Sequence, residues 1–228
     1  MMTPRRACST TMPEPATRSG RGAADRLPSP YWCIILTVDM ETVVIYEEVA
    51  PQWQQSRGEA NDDLGRRFRS QAGEGLVVDL GCGPGRYLDQ IGGPVVGLDV
   101  SAAMLALARR RGHSLARADL ESLPFGDGVF AAAFARHSYL HVPKERVPSA
   151  LVELRRVLRL GALLMLSLIE GDYEGHDLPG DDFPGRYFAF WTAAELGDEL
   201  TGAGFVDIGV ERVPRARGEG DLLATARR

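Results

Sequence analysis

Asp79 and the glycines that follow it are the residues whose types and spacing point most directly to chemistry. Residues 77–80 read Val-Val-Asp-Leu, and glycines then occupy positions 81, 83 and 85. Glycine permits backbone angles and close approaches that a Cβ atom would block. A helix that starts after such a loop presents unpaired N–H groups and partial positive charge. The pattern predicts a strand, a tight loop against a ligand and a helix, with the Asp79 carboxylate aimed into the crevice beyond the strand.

The charge of Asp79 separates two classes of ligand. A dinucleotide-binding loop favours glycine or alanine at the sixth motif position, where this chain has Arg86. A pyrophosphate at the end of the strand would be repelled by Asp79, whereas the ammonium and sulfonium groups of S-adenosylmethionine would be attracted. The residues therefore favour S-adenosylmethionine as the co-substrate. A nicotinamide-dependent oxidoreductase is the alternative.

Asp99 supplies a second carboxylate at a matching place. It lies 20 residues after Asp79 and ends the next apolar run. An acidic side chain at the end of the second strand can bind the two ribose hydroxyls of an adenosyl ligand. This spacing supports a nucleoside site without reference to any family.

Three segments in order resemble the class I S-adenosylmethionine-dependent methyltransferases. Residues 79–85 resemble motif I, residues 96–105 resemble motif II, and residues 118–125 resemble the adenine-binding segment of the type 11 branch. The resemblance implies a single Rossmann-like α/β domain. Its doubly wound sheet would have seven strands, mostly parallel with an antiparallel last strand, and helices on both faces.

The resemblance also implies which residues bind the donor. Asp119 would accept a hydrogen bond from the adenine amine while the Leu120 N–H donates to the ring. Tyr46, with Trp53, would touch the methionyl end, although aromatic residues at helical spacing also serve as core packing. The full predicted set is Tyr46, Asp79, Gly81, Gly83, Gly85, Asp99, Val100, Met104, Asp119, Leu120 and Arg136.

The hydrophobic pattern arranges the remaining elements around these residues. A helical preface is predicted over residues 40–73, and a helix with a buried stripe begins at Val147 and reaches Leu158. Ser101 and Thr192 are predicted helix N-caps, the latter in a capping box with Glu195. Further strands are predicted at residues 114–118, 129–135 and 162–169, from 204 onward, and at 221–226.

A polar cluster follows the fourth strand, where the substrate would lie. Of its members, His137 and Tyr139 are the candidate catalytic residues, since an imidazole or a phenol could deprotonate a nucleophile. The alternative is that both are hydrogen-bonded structure. Together with Tyr187 and Phe190 they would line an acceptor pocket.

Residues 170–191 form a glycine-rich, acidic segment that is predicted to be a loop on the substrate side. A solvated loop is one interpretation, and attraction for a cationic acceptor is the other.

Composition bounds the function further. The chain has 228 residues, 44% hydrophobic and 25% charged, which suits one globular domain over residues 40–228. A net charge of −5 gives no overall positive charge that would attract a phosphate backbone, so nucleic acid is disfavoured as a partner. Three scattered cysteines predict neither a disulfide framework nor a metal site, and they suit a reducing, cytoplasmic compartment. No apolar run approaches the ~20 residues that span a bilayer.

These observations predict an enzyme that moves a methyl group by in-line displacement to an O, N or C atom of a small molecule. The pattern of base- and glutamine-modifying N-methyltransferases, Asn or Asp followed by Pro-Pro and an aromatic residue, does not occur after the fourth strand. A binding protein that holds the donor without transferring methyl is the alternative from another class. The residues name neither the acceptor nor the oligomeric state.

Residues 1–39 have no apolar periodicity and are predicted to be a disordered leader or an over-extended start upstream of Met40. Deleting residues 1–39 is therefore expected to leave the melting temperature and donor affinity unchanged. Thermal unfolding and calorimetric titration of the truncated protein would check this. A large fall in melting temperature would show that the leader belongs to the domain.

Overall fold

A seven-stranded sheet organises the domain. The computed structural model describes residues 39–60, 62–214 and 220–228. The strand order is β3-β2-β1-β4-β5-β9-β8. The strands of this sheet are β1 (Val77–Leu80), β2 (Val95–Asp99), β3 (Ser114–Arg117), β4 (Phe130–Arg136), β5 (Leu158–Ile169), β8 (Val206–Val213) and β9 (Asp221–Arg227). A separate two-stranded sheet pairs β6 (Glu174–Gly175) with β7 (Phe188–Ala189).

The strand that precedes the glycine loop lies at the centre of the parallel part. All four residues of β1 are buried, and β1 pairs in parallel with β2 on one side and β4 on the other. Val77 is opposite Val95 and Ala132 in this register. The carboxyl ends of β1, β2 and β4 therefore meet at one edge of the sheet, as the sequence predicts for a ligand crevice.

Helices cover both faces, because successive side chains of a buried strand point to opposite sides. On one face, Val77 packs in a cluster with Phe68, Leu88 and Leu105, which lie on α2, α3 and α4. On the other face, Val78 belongs to a second cluster with residues of α5 and α6. The helices are α1 (Met40–Arg57), α2 (Leu64–Ala72), α3 (Leu88–Ile91), α4 (Ala102–Ala108), α5 (Val147–Val157) and α6 (Ala193–Gly202).

The last strand is the antiparallel one, as predicted. Strand β9 runs antiparallel to both β5 and β8. An antiparallel strand begins at the edge where its parallel neighbours end, so the first residue of β9, Asp221, lies opposite Ile169, the last residue of β5. This register delivers a carboxylate to the ligand edge.

The boundary between α5 and β5 differs from the sequence prediction. Leu158 is not the end of the helix but the first residue of β5, where it pairs with Phe130, so the strand begins earlier than residue 162. An apolar stripe does not show where a helix passes directly into a buried strand, because both elements bury the same residue type. Ser101 and Thr192 cap their helices as predicted, the latter in a capping box with Glu195.

The predicted leader, residues 1–39, lies outside the described residues except for Asp39. That residue is the N-cap of α1, since its Oδ1 accepts hydrogen bonds from the N–H and hydroxyl of Thr42 at 2.8 and 2.7 Å. The prediction for truncation is therefore better tested by removing residues 1–38. None of the helices in the described ranges is long and apolar enough to cross a membrane.

The preface helix α1 is fixed to the ligand edge at two points. The Arg86 guanidinium donates to the carbonyl oxygens of Arg57, Gly58 and Glu59, at the end of α1, where a helix leaves carbonyl groups without partners inside the helix. Glu47 accepts from the N–H groups at the start of α4, at Ala102 and Ala103, at 2.7 and 2.8 Å. Two charged side chains thus join α1 to the loops that follow β1 and β2.

Glu47→Gln should lower the free energy of unfolding by about 1–2 kcal/mol, because a charged acceptor at a helix N-terminus is replaced by a neutral amide. Denaturant unfolding would measure the change. Glu48→Gln is the matched control, since Glu48 is exposed on the same helix. Equal effects of the two substitutions would contradict the role assigned to Glu47.

Candidate active site

A cavity of about 600 Å³ lies at the carboxyl edge of β1, β2 and β4, beneath α1. Its wall includes most of the residues predicted to bind the donor. Those present are Tyr46, Asp79, Gly81, Gly83, Asp99, Val100, Met104, Leu120 and Arg136. The candidate catalytic residue His137 and the aromatic residue Trp53 also line it.

Three glycines of the loop have positive φ but different surroundings. At Gly81 (φ 71°) an added Cβ would lie 2.3 Å from the Cβ of Ser138, so only glycine fits. At Gly83 (φ 54°) no described atom lies within 4 Å of that position, which leaves the backbone open to a ligand. At Gly85 (φ 80°) an added Cβ would lie 2.9 Å from Arg111 and 3.0 Å from Leu88, and Gly85 does not line the cavity, so its contact with the donor stays a prediction.

Asp79 is buried at the end of β1, and its Oδ2 has no hydrogen-bond partner among the described residues. Burial, reinforced by the charge of Asp99, raises the pKa of Asp79 to about 8. A buried carboxylate without a partner is costly unless it is protonated or meets a cation. The geometry therefore fits a ligand that brings a positive group to this point, as S-adenosylmethionine would.

Asp99 holds the glycine loop against the end of β2. Its Oδ2 accepts from the Gly83 N–H at 2.8 Å and its Oδ1 accepts from the Ser101 N–H at 2.9 Å. Burial raises the pKa of Asp99 to about 6, while these backbone hydrogen bonds oppose the rise. Each carboxylate oxygen has two lone pairs, so both can still accept from ribose hydroxyls.

The predicted adenine contacts are only partly brought to the cavity. Leu120 lines it with Val100 and Met104. Asp119 does not: its side chain is fully buried, and its Oδ1 accepts from the Glu121 N–H at 3.0 Å. An aspartate at the start of a turn readily bonds the backbone two residues on, and this local interaction competes with a ligand.

Tyr46 is the centre of a hydrogen-bond network that the sequence did not predict. The Tyr46 hydroxyl lies 2.8 Å from His141 Nε2 and accepts from Arg186 Nη1 at 2.8 Å. His141 Nδ1 is 2.6 Å from the Tyr187 carbonyl oxygen, which only accepts, so Nδ1 carries the proton and Nε2 accepts from Tyr46. Burial lowers the pKa of His141 to about 3 and keeps the ring neutral. The network joins α1 to the segments after β4 and before β7.

The sequence did not predict His141 as a site residue, because its hydrogen-bond partners, Tyr46 and Tyr187, lie 95 and 46 residues away in the chain. Its place within the polar cluster after β4 was the available signal. The partner Arg186 is buried and pairs closely with Asp181.

Arg136 and His137 lie together with Asp221 where β4 ends. His137 Nε2 is 3.1 Å from Asp221 Oδ1, and Arg136 Nη1 is 3.7 Å from Asp221 Oδ2. Arg136 also lies 3.4 Å from Asp62 and over the ring of Tyr87. His137 has a φ of 54°, a left-handed conformation that costs a non-glycine residue on the order of 1–3 kcal/mol. The sequence indicated Arg136 and His137 but not their carboxylate partner on β9.

Two members of the predicted acceptor pocket lie elsewhere. Tyr139 is fully buried in the core on a 3₁₀ turn and does not line the cavity, which argues against its predicted catalytic role. Tyr187 points away, and its hydroxyl bonds Glu174. The turn after β4 breaks the alternation by which the sequence assigned directions, so a residue near a strand end can face inward. Phe190 lines the cavity as predicted, next to Phe188.

The acidic segment contributes part of the cavity wall, and the two carboxylates that it places there are paired with arginines. Asp181 pairs with buried Arg186, and Asp182 lies 2.8 Å from Arg57. Both carboxylates are thus neutralised by arginines at the same rim. Neither predicted interpretation, a purely solvated loop or an attractor for cations, describes these two residues.

Comparison with known proteins agrees with the predicted fold. Residues 78–166 match the methyltransferase domain family, type 11. The O-methyltransferase cnsE of Penicillium expansum is 30% identical over 165 residues, covering 65% of this chain and 58% of that protein. The probable tRNA methyltransferase 9B of Mus musculus is 33% identical over 125 residues, covering 54% of this chain and 28% of that protein. The matches thus span only part of these relatives.

A solved structure shares the fold. The 1,6-didemethyltoxoflavin-N1-methyltransferase of Burkholderia thailandensis, with bound 1,6-didemethyltoxoflavin and S-adenosylhomocysteine, is 21% identical with a TM-score of 0.61. The likeness covers 89% of this chain and 93% of that chain. The fold is that of the class I S-adenosylmethionine-dependent methyltransferases, and the match over residues 78–166 supports the type 11 branch that the motifs predicted.

The raised pKa of Asp79 predicts how stability depends on pH. An acid whose pKa is about 8 in the folded protein and 3.8 ordinarily stabilises the fold most at low pH, and this contribution is lost as pH rises toward 8. Between about pH 6.5 and 7.5 the ligand-free protein should lose roughly 1 kcal/mol of stability. Asp79→Asn should remove this loss. Denaturant unfolding at both pH values would measure it, and a slope that survives Asp79→Asn would contradict the assignment.

Proposed function

We propose that the protein transfers the methyl group of S-adenosylmethionine to a nucleophilic O, N or C atom of a small molecule. The observation that carries the proposal is the buried Asp79 carboxylate, which lacks a partner among the described residues and lies beside the open backbone of Gly83. That pairing of a carboxylate with a glycine loop suits an ammonium group and disfavours a pyrophosphate. The oxidoreductase alternative has no such support.

Different residues of the cavity would bind different parts of the donor. Asp79 and the backbone at Gly81 and Gly83 would hold the methionyl end, with Tyr46 and Arg136 nearby. Asp99 would bind the ribose hydroxyls. Apolar side chains of Val100, Met104 and Leu120 would surround the adenine.

When bound, the donor supplies a methyl group activated by its sulfonium. The protein then has chiefly to align the nucleophile with that carbon, and positioning alone can contribute about 7–11 kcal/mol. The arrangement of α1 serves this purpose. Helix α1 covers the crevice and is fixed by Arg86, Glu47 and Tyr46, so it can exclude water from the reacting groups.

A small acceptor is supported by the size and chemistry of the cavity. Ligand pockets of about 300–1,000 Å³ hold small molecules, and the wall beyond the donor residues is apolar, with Ile169, Leu178, Phe188 and Phe190. The acidic net charge gives no electrostatic support to a nucleic-acid substrate. Transfer RNA is nevertheless the second candidate, because the mouse relative is described as a probable tRNA methyltransferase. A cytoplasmic location remains a proposal that rests on the cysteine pattern.

The decisive experiment measures methyl transfer from labelled S-adenosylmethionine to a panel of small metabolites and to transfer RNA. Transfer to a small molecule supports the proposal, and transfer to RNA alone overturns the proposed acceptor class. Binding of S-adenosylmethionine without any transfer across the panel favours the non-catalytic alternative.

Asp99→Ala should weaken the binding of S-adenosylmethionine by about 1.5–3 kcal/mol, because charge-assisted hydrogen bonds to the ribose are lost. S-adenosylhomocysteine has the same ribose, so its affinity should fall by a similar factor. Calorimetric titration would measure both. Because Asp99 also binds Gly83 and Ser101, Asp99→Asn is the conservative companion, which retains one acceptor oxygen.

Asp79→Asn supplies the complementary control. It should lower the affinity for S-adenosylmethionine and leave the affinity for adenosine nearly unchanged, since Asp79 would bind the methionyl end of the donor and adenosine lacks that end. Tighter binding of NADH than of either adenosyl ligand, or unchanged affinities in Asp99→Ala, would show that the crevice is not a methyl-donor site.

A further inference from the structure

Four aromatic rings form a continuous series along the acceptor side of the cavity. They belong to Tyr46 of α1, His141 of the turn after β4, Phe188 of β7 and Phe190, and all four line the cavity. The ring centroids are 5.3 Å apart for Tyr46 and His141, 5.0 Å for His141 and Phe188, and 6.4 Å for Phe188 and Phe190. Such inclined pairs are a favourable arrangement of aromatic rings. The series is therefore a ready surface for a further ring.

His141 belongs to this series as an uncharged ring. Its Nε2 accepts from the Tyr46 hydroxyl and its Nδ1 donates to the Tyr187 carbonyl oxygen, so both nitrogens are engaged. Burial lowers the pKa of His141 to about 3, and the charge of Arg186 contributes to the fall. At neutral pH the imidazole therefore acts as part of the aromatic wall.

Arg186 already lies over the faces of aromatic rings at this wall. Its guanidinium carbon is 5.3 Å from the ring centroid of Tyr46, 5.0 Å from that of Phe188 and 5.4 Å from that of Phe183. The negative face of an aromatic ring attracts a cation. Ring faces that would attract a cationic ligand thus hold a cation of the protein itself.

A buried carboxylate fixes Arg186 in this place. Arg186 Nε donates to Asp181 Oδ2 at 3.1 Å, Nη2 donates to Asp181 Oδ1, and Nη1 donates to the Tyr46 hydroxyl at 2.8 Å. The side chains of Arg186 and Asp181 are only 5% and 4% exposed. Burial lowers the pKa of Arg186, but the interactions with Tyr46 and Asp181 outweigh burial and raise it overall. Arg186 is therefore a permanent cation, and both oxygens of Asp181 are engaged by it.

This arrangement leaves a cationic acceptor without a partner. Four aspartates are among the described residues that line the cavity. Asp79 and Asp99 lie at the donor end, and Asp181 and Asp182 are paired with arginines. A cation on the acceptor side would lose hydration and meet carboxylates that are already paired. An uncharged aromatic ring would lose little hydration and gain contacts with the ring series.

We propose, resting on the proposed function, that the methyl acceptor is an uncharged aromatic molecule and that Arg186 is the residue that excludes cationic analogues. The acceptor ring packs against His141, Phe188 and Phe190. Amines that are protonated at neutral pH bind poorly at this wall, although the chain as a whole carries a net charge of −5.

The test measures the binding of two matched pairs of probes to the protein saturated with S-adenosylhomocysteine, by calorimetric titration at neutral pH. Quinoline and N-methylquinolinium have similar shapes but differ in charge, and quinoline should bind about tenfold or more tightly. Benzyl alcohol and cyclohexylmethanol are both uncharged and differ in aromaticity. Benzyl alcohol should bind about threefold or more tightly, although cyclohexylmethanol is the more apolar of the two.

Arg186→Met should reverse the charge preference. It uncovers the ring faces and leaves Asp181 unpaired, so N-methylquinolinium should gain about tenfold or more in affinity relative to quinoline. Asp181→Asn leaves Arg186 without its carboxylate and should move the ratio in the opposite direction. Arg57→Met is the matched control, because it unpairs Asp182 at the same rim. That pair is 40% and 50% exposed, so solvent screening should keep the change in the ratio below about threefold.

The double variant Arg186→Met with Asp181→Asn covers the case in which the single variant fails to fold. It removes both buried charges together, so it leaves no unpaired carboxylate in the wall. Its ring faces are uncovered, and its affinity ratio for the two quinoline probes should lie between those of the wild type and Arg186→Met.

The outcomes separate this inference from the function on which it rests. An unchanged ratio in the Arg186 variants would overturn the role of Arg186. Wild-type protein that binds N-methylquinolinium as tightly as quinoline, or cyclohexylmethanol as tightly as benzyl alcohol, would overturn the acceptor class. Transfer of labelled methyl groups only to cationic or aliphatic metabolites would do the same. Failure to bind S-adenosylmethionine or S-adenosylhomocysteine would instead overturn the proposed function itself.

Discussion

The burial of two carboxylates at the ends of adjacent parallel strands is the constraint on which the ligand edge depends. Asp99 is stabilised by two backbone N–H groups, whereas Asp79 has an oxygen with no partner in the described part of the chain. Burial raises the pKa of Asp79 to about 8, and the nearby charge of Asp99 adds to the rise. A cationic ligand offsets the cost of a negative charge at this place. The protein thus carries an electrostatic preference for its co-substrate before any contact forms.

The same two carboxylates explain why the preface helix belongs to the site. Glu47 on α1 binds the start of α4, directly after Asp99, and Arg86 of the glycine loop binds the end of α1. Tyr46 connects this helix to His141 and Arg186 on the acceptor side. A helix anchored at both loops and on the far wall covers the crevice, in the position from which it would exclude water and strengthen charge interactions inside.

The antiparallel last strand has a chemical consequence as well as a topological one. In a fully parallel sheet only carboxyl ends reach the ligand edge. Because β9 runs the other way, its first residue, Asp221, arrives there beside Arg136 and His137. The sheet thereby brings a carboxylate from the end of the chain to an imidazole from its middle, and the strained backbone of His137 holds the ring toward the cavity.

The sequence by itself determined the class of fold and the glycine loop, and most of the donor residues that it predicted line the cavity. These features are local: a strand, a loop with positive φ and a helix start lie within a dozen residues, and parallel strands bring their ends together by rule. Continuous apolar runs also identified the central strands, since strands of a parallel sheet are buried on both faces.

Only the tertiary structure decided which side chains contact one another around the cavity. The sequence assigned Tyr139 and Asp119 to the cavity, but a turn after β4 and a turn after β3 direct both inward. It could not show that Arg86 caps α1, that His141 accepts from Tyr46, or that Asp221 reaches His137. Each of these contacts joins residues far apart in the chain, and side-chain direction beyond the end of a regular element follows from packing rather than from periodicity.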